Sequence, residues 1–190
     1  FSTGTTLTIT GVLYGGVGMT ATRSATDTTE AGRVDIYTLT GEPIPTGTQT
    51  VTLQGCTATG KWATCCTVTG TVPFVGASNS TNTTTSANPT ISLSPTAASN
   101  IGYAACHDGA AAPATAMTVG TLLHSNDYGA LCANTGRQTA AVGSGAASIT
   151  FTIGSDDWCC AGVSLSEGVA TPAIFNTGPM RATVPEVMPA

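Results

Sequence analysis

Side chains of one character return at every second residue through most of this chain, as in Gly47 to Leu53 (GTQTVTL) and Gly145 to Ile153 (GAASITFTI), and no segment sustains a 3.6-residue period between helix caps. A two-residue period places alternate side chains on opposite faces of an extended strand. The residues filling it suit that conformation: Thr occurs 38 times, and its branched Cβ favours strand over helix. The chain is therefore expected to be all-β.

Strands are expected at Thr5 to Leu13, Met19 to Arg23, Arg33 to Leu39, Gln49 to Leu53, Ala63 to Thr69, Thr90 to Leu93, Ile101 to Cys106, Thr121 to His124, Ser148 to Ile153 and Cys159 to Ser166. Turn residues such as Tyr14-Gly15-Gly16, Gly41-Glu42-Pro43 and Asp108-Gly109 separate them. Short strands at this spacing, with no helices between them, point to a single antiparallel two-sheet sandwich.

The low-complexity stretch Ser78 to Asn88 reads as a middle connection between halves that echo one another. In each half a small-residue turn leads through an alternating strand to one Trp and a vicinal Cys pair: Trp62 with Cys65-Cys66, and Trp158 with Cys159-Cys160. Each half has too few large apolar side chains to stand alone comfortably. One sandwich with pseudo-symmetric halves over residues 1–168 is expected, followed by an arm over 169–190. Pro172, Pro179, Pro185 and Pro189 keep that arm extended. Ile174, Phe175, Met180, Val184, Val187 and Met188 would then dock on a neighbour or cover an edge of its own domain.

Charge narrows the partners. Five Lys and Arg against ten Asp and Glu give a net charge of -5, so a row of phosphates would go unneutralised, and neither nucleic acid nor an anionic membrane is expected as a partner. Mean hydropathy is +0.22, yet no apolar run approaches the roughly 18 residues of a membrane-spanning helix.

Seven cysteines without zinc-ligand spacing, Cys56, Cys65, Cys66, Cys106, Cys132, Cys159 and Cys160, read as disulfide candidates and hence as a mark of an oxidising, extracellular or virion setting. An odd number leaves one thiol over, free or bonded to another chain. Strand parity turns Cys66 and Cys159 toward the core with Val68, Val163 and Leu165, and Cys65 and Cys160 outward. Cross-strand bonds on either face, bonds from the outward cysteines to neighbouring subunits, and buried thiols packed as small hydrophobes all satisfy that pattern. Each disulfide formed would contribute roughly 2–4 kcal/mol. Phe1 is not an initiator methionine and no charged segment followed by an apolar run stands at the start, so any leader is expected to have been removed or to lie upstream of Phe1. Asn79-Ser80-Thr81 and Asn82-Thr83-Thr84 are acceptor sequons in an expected loop.

Catalytic chemistry finds little footing. Cys106-His107-Asp108 places thiol, imidazole and carboxylate in a row, but neighbours on a strand diverge where a nucleophile and its base must converge. His124 ends an apolar run without an acid beside it and reads as a turn or interface residue. No nucleophile elbow, phosphate-binding loop or zinc-protease motif occurs. Asp156-Asp157, the adjacent acid pair, reads as a cap on the turn before Trp158, with a surface cation as the alternative. Trp62 and Trp158 would form a sugar-stacking platform if exposed, and core if not.

The order Val12 to Thr20 (VLYGGVGMT), Val34 to Leu39 with the following Gly-Glu-Pro, Gly47 to Leu53, and Trp158 to Glu167 (WCCAGVSLSE) resembles the jelly-roll, concanavalin-like β-sandwich domains of bacteriophage virion and bacterial surface proteins. The resemblance spans roughly Thr5 to Glu167 and implies a fold more than an activity. It implies a non-enzymatic structural subunit without cofactor or metal, such as a capsid decoration or a tail or fibre component. The partners implied are copies of itself or other virion or surface proteins. A carbohydrate-binding or adhesin module, with glycan as ligand, is the alternative.

Overall fold

The computed structural model describes residues 8–27, 32–40, 43–57, 63–65, 74–93, 100–109, 116–119, 121–127, 132–137 and 147–166. Among them there is no helix, and every strand pairing is antiparallel. The chain is an all-β sandwich.

Its body is formed by eight strands: β6 (Phe74–Ser86), β7 (Thr90–Leu93), β8 (Asn100–Asp108), β9 (Ala116–Val119), β10 (Thr121–Asp127), β11 (Cys132–Arg137), β12 (Ala147–Thr152) and β13 (Asp156–Ser166). The first pairs with the last, β6 with β13; then β7 pairs with β12 and β8 with β11, while β9 packs against β10. This nested pairing is a ribbon of antiparallel strands rolled over on itself, which is the winding of a jelly roll. Rolling it up yields a five-stranded sheet in the order β10-β11-β8-β13-β6 and a three-stranded sheet in the order β7-β12-β9.

The small sheet has the expected alternation. Ile91 and Leu93 of β7 are buried while Thr90 and Ser92 are exposed, and Ile149, Phe151 and Ile153 turn inward from β12 and its end. Thr90 and Thr150, opposite one another on the outer face, share a hydroxyl hydrogen bond of 3.0 Å. The inward set packs on Ala104, Cys106, Trp158 and Cys160 of the large sheet to make the main core.

Residues before β6 build different structures from those after it. β1 (Gly11–Tyr14), β2 (Val17–Gly18) and β5 (Val51–Gln54) form a three-stranded sheet in the order β2-β1-β5. Its hairpin turn is Gly15-Gly16, with φ of 56° and 84° between the paired Tyr14 and Val17. Two positive φ values in a two-residue loop make a turn whose twist matches that of the strands it joins. β3 (Thr20–Thr26) and β4 (Arg33–Thr38) form a separate hairpin, closed by the Asp27 amide donating to the Gly32 carbonyl at 2.8 Å. Ala25 and Val34 of this hairpin pack with Cys159 and Ala161 into a second core, flanked by Ile36 and Ala105.

The large sheet is thus covered on both faces, by β7-β12-β9 on one side and by the β3–β4 hairpin on the other. This explains why every residue from Asp157 to Ser164 is buried, where a two-layer sandwich would leave alternate positions in water.

Several expectations are corrected by this architecture. The echo between the halves does not extend to their folding: Gly47 to Leu53 leads into an edge strand of the three-stranded sheet, whereas Gly145 to Ile153 leads into the central strand of the β7-β12-β9 sheet. Ser78 to Asn88 is largely strand β6, paired along β13, because a Thr, Ser and Asn run satisfies its backbone at the edge of a sheet as readily as in a loop. The two sequons therefore lie on a strand, with Asn79 opposite Ala161 and Asn82 opposite Trp158. Ala63 to Cys65, expected as the start of a strand, has no strand pairing. Trp62, Cys66 and the arm residues Ile174, Phe175, Met180, Val184, Val187 and Met188 lie outside the described residues.

Candidate functional site

The chemistry-bearing side chains gather on β8 and β13, at the centre of the large sheet. Register places Cys160 opposite Cys106, Cys159 opposite His107, and Trp158 opposite Asp108. Directly opposed residues share a face and neighbours along a strand alternate. Cys106, Cys160 and Trp158 accordingly belong to the main core, while Cys159 lies in the second core under the hairpin.

On the main-core face, Cys106 and Cys160 are fully buried, register partners within one core cluster. The Cys106 sulfur also lies 3.6 Å from the His107 carbonyl oxygen. Burial pushes both thiols above their ordinary range, which holds them protonated. Trp158 is buried among Ile91, Phe151 and their neighbours, so it packs the core and offers no face to a sugar.

On the hairpin face, His107 is 1% exposed, and its ring lies against Gly32 in the closing loop of the hairpin. Neither ring nitrogen has a hydrogen-bond partner among the described residues. Desolvation lowers its pKa to about 4, against a smaller opposing pull from Asp27 and Asp156. The ring is therefore neutral near pH 7. Cys159 opposite it is raised well above the usual thiol range, chiefly by burial, although the backbone amides of Asp27 and Val34 favour the sulfur's charged form. Asp157 is also raised, by desolvation first and then by the charges of Asp27 and Asp156.

Asp156 and Asp157 open β13. The Asp157 amide donates to Asp156 Oδ1 at 2.9 Å, and the Asp157 carbonyl accepts from the Gly109 amide at 3.3 Å. These are strand-end contacts, and they tie the start of β13 to Gly109 just past the end of β8. Among the described residues no three His, Cys, Asp or Glu are placed to hold a metal ion.

The sequence motif Cys106-His107-Asp108 is split across the sheet, with the imidazole on one face and the thiol and carboxylate positions on the other. The constellation that does form, Asp27, His107, Asp157 and Cys159, has no counterpart in the sequence pattern. It brings residues of β8 and β13 together with the end of β3, far apart along the chain, and only the register of β13 on β8 reveals it. Burial thus favours a protonated Cys159 thiol opposite a neutral His107 imidazole.

Cys56, Cys65, Cys106, Cys159 and Cys160 are all free thiols. Cys160 faces the main core, where parity with one covered face turns it outward; both faces are covered, so both members of the vicinal pair are buried. Cys56 and Cys65 are half-buried. Cys132 stands on β11 opposite Asp108. His124 is on β10 opposite Thr135, half-buried, and desolvation lowers its pKa.

No protein-family model matches the chain, and no curated protein or solved structure is significantly similar to it.

Proposed function

We propose that this chain is a non-enzymatic structural subunit of an extracellular or virion assembly, in the manner of a capsid decoration or a tail or fibre protein. One observation carries the reading: Cys106, His107, Asp108, Asp157, Cys159 and Cys160 at the centre of the large sheet are buried between its two covering layers. The outward faces present small neutral hydroxyls, among them Thr20, Ser24, Thr26, Thr90 and Ser92. Such a surface packs against copies of itself or other coat components without strong like-charge repulsion. The jelly-roll winding supports the same reading, as a rigid unit whose strength lies in its sheets.

Density-gradient sedimentation of particles and surface assemblies from the source, followed by absolute quantification of the chain in each fraction, tests this proposal. Many copies per sedimenting particle are expected. Recovery only as a slow-sedimenting monomer overturns it. The carbohydrate-binding alternative loses one of its two platform residues with Trp158 in the core, and would rest on Trp62.

A further inference from the structure

We propose that Cys106 and Cys160 are the redox partners of this fold and join β8 to β13 through a disulfide when the chain folds in an oxidising compartment. The two are register partners on adjacent antiparallel strands. Opposed residues in such a pair have Cα atoms about 4.5 or 5.5 Å apart, according to the hydrogen-bonding site they occupy. Both spacings fall inside the disulfide window of roughly 4.4–6.8 Å. The side chains share one face and sit together in the main core, so both sulfurs lie on the same side of the sheet.

Among the cysteines whose side chains are described, the competing pairings are poorer. Cys159 is adjacent in sequence to Cys160 but turned to the opposite face, into the second core with Ala25 and Val34. Cys56 and Cys65 are half-buried and lie outside that core. Among the described residues, Cys106 is therefore the cysteine that the register sets opposite Cys160.

The chemistry balances with a small disulfide as oxidant. One cysteine thiolate attacks glutathione disulfide, forming a mixed disulfide and releasing one glutathione thiolate. The second cysteine thiolate then attacks the protein sulfur of that mixed disulfide and releases the other glutathione. Two S–H bonds are lost, one S–S bond forms, and the oxidant is reduced to two thiols. Burial of the finished pair confines the reaction to folding, before the β7-β12-β9 sheet closes over it.

The test is refolding of the reduced, denatured full chain in a glutathione redox buffer, followed by alkylation in denaturant and mass mapping of the blocked cysteines. Cys106 and Cys160 are expected to resist alkylation together and to become reactive together after dithiothreitol. Cys159→Ser is expected to keep the bond. Cys106→Ala is expected to leave Cys160 alkylated, and Cys160→Ala to do the same for Cys106. Full alkylation of both residues in the refolded wild-type chain, or a bond from either to another cysteine, overturns the proposal. Because the wild-type mapping is decisive by itself, a variant that fails to fold leaves the test intact, and the outcome is independent of whether the chain assembles.

Discussion

The imidazole of His107 lies so tightly against Gly32 that a Cβ placed on the glycine would overlap the ring. This contact seats the closing loop of the β3–β4 hairpin on the large sheet, and it exists only because residue 32 has no side chain. Gly32→Ala is therefore expected to lower stability by about 1–3 kcal/mol through overpacking. The control is Gly18→Ala, where a Cβ meets no atom within 4 Å and φ is not positive; there the smaller entropy of the unfolded chain makes the change neutral or stabilising by about 0.4–1 kcal/mol. Urea denaturation of both variants distinguishes them.

His107 also makes stability depend on pH. Its native pKa of about 4 lies below the usual 6.5, so between those values the unfolded chain binds a proton that the native chain does not. Stability is present above pH 6.5 and is lost as pH falls toward 4, by up to about 3 kcal/mol at 1.36 kcal/mol per unit. His107→Gln is expected to flatten this dependence in thermal midpoints measured from about pH 7.5 down to about pH 4. Asp157 acts with the opposite sign: its raised carboxyl pKa favours the native state as pH falls, so Asp157→Asn is expected to steepen the acid loss.

Gly162 of β13 stands opposite Ala104 beneath the small sheet, where a Cβ would meet Ile91 Cγ2 at 3.0 Å, Leu93 Cδ2 at 3.1 Å and the Tyr103 carbonyl oxygen at 3.1 Å. The two side chains are held by burial in the main core, and the carbonyl by the strand backbone. Gly162→Ala is expected to cost about 1–3 kcal/mol, read as a lower denaturation midpoint with an unchanged slope on urea.

The alternation of Ile91 with Leu93, and of Ile149 with Phe151 and Ile153, makes the strands of the small sheet legible, because each has one wet face and one dry one. β13 is legible as a strand but not in its burial: a sheet covered on both sides removes the polar alternation that parity needs, which is why parity turns Cys160 to the wrong side. β6 is hidden by its composition, since Asn, Ser and Thr report no preference between an edge strand and a loop. β9 and β11 are short and small-residued, with little periodicity to detect. The site is least legible of all. Cys106, His107 and Asp108 are consecutive and stand out in the sequence, yet His107 meets Gly32 and Cys159 through tertiary register, which no local spacing encodes.

Cys106, Cys159, Cys160 and His107 are buried between layers, and the proposed structural role rests on that burial. Pulse labelling of the reduced, native full chain with a maleimide, mapped by mass spectrometry with and without denaturant, tests this most directly. The prediction is rapid labelling of the half-buried Cys56 and Cys65, and protection of Cys106, Cys159 and Cys160 until denaturant is added. Labelling of Cys159 in the native chain as fast as Cys56 would mean an open thiol beside His107, and would contradict a sealed interior.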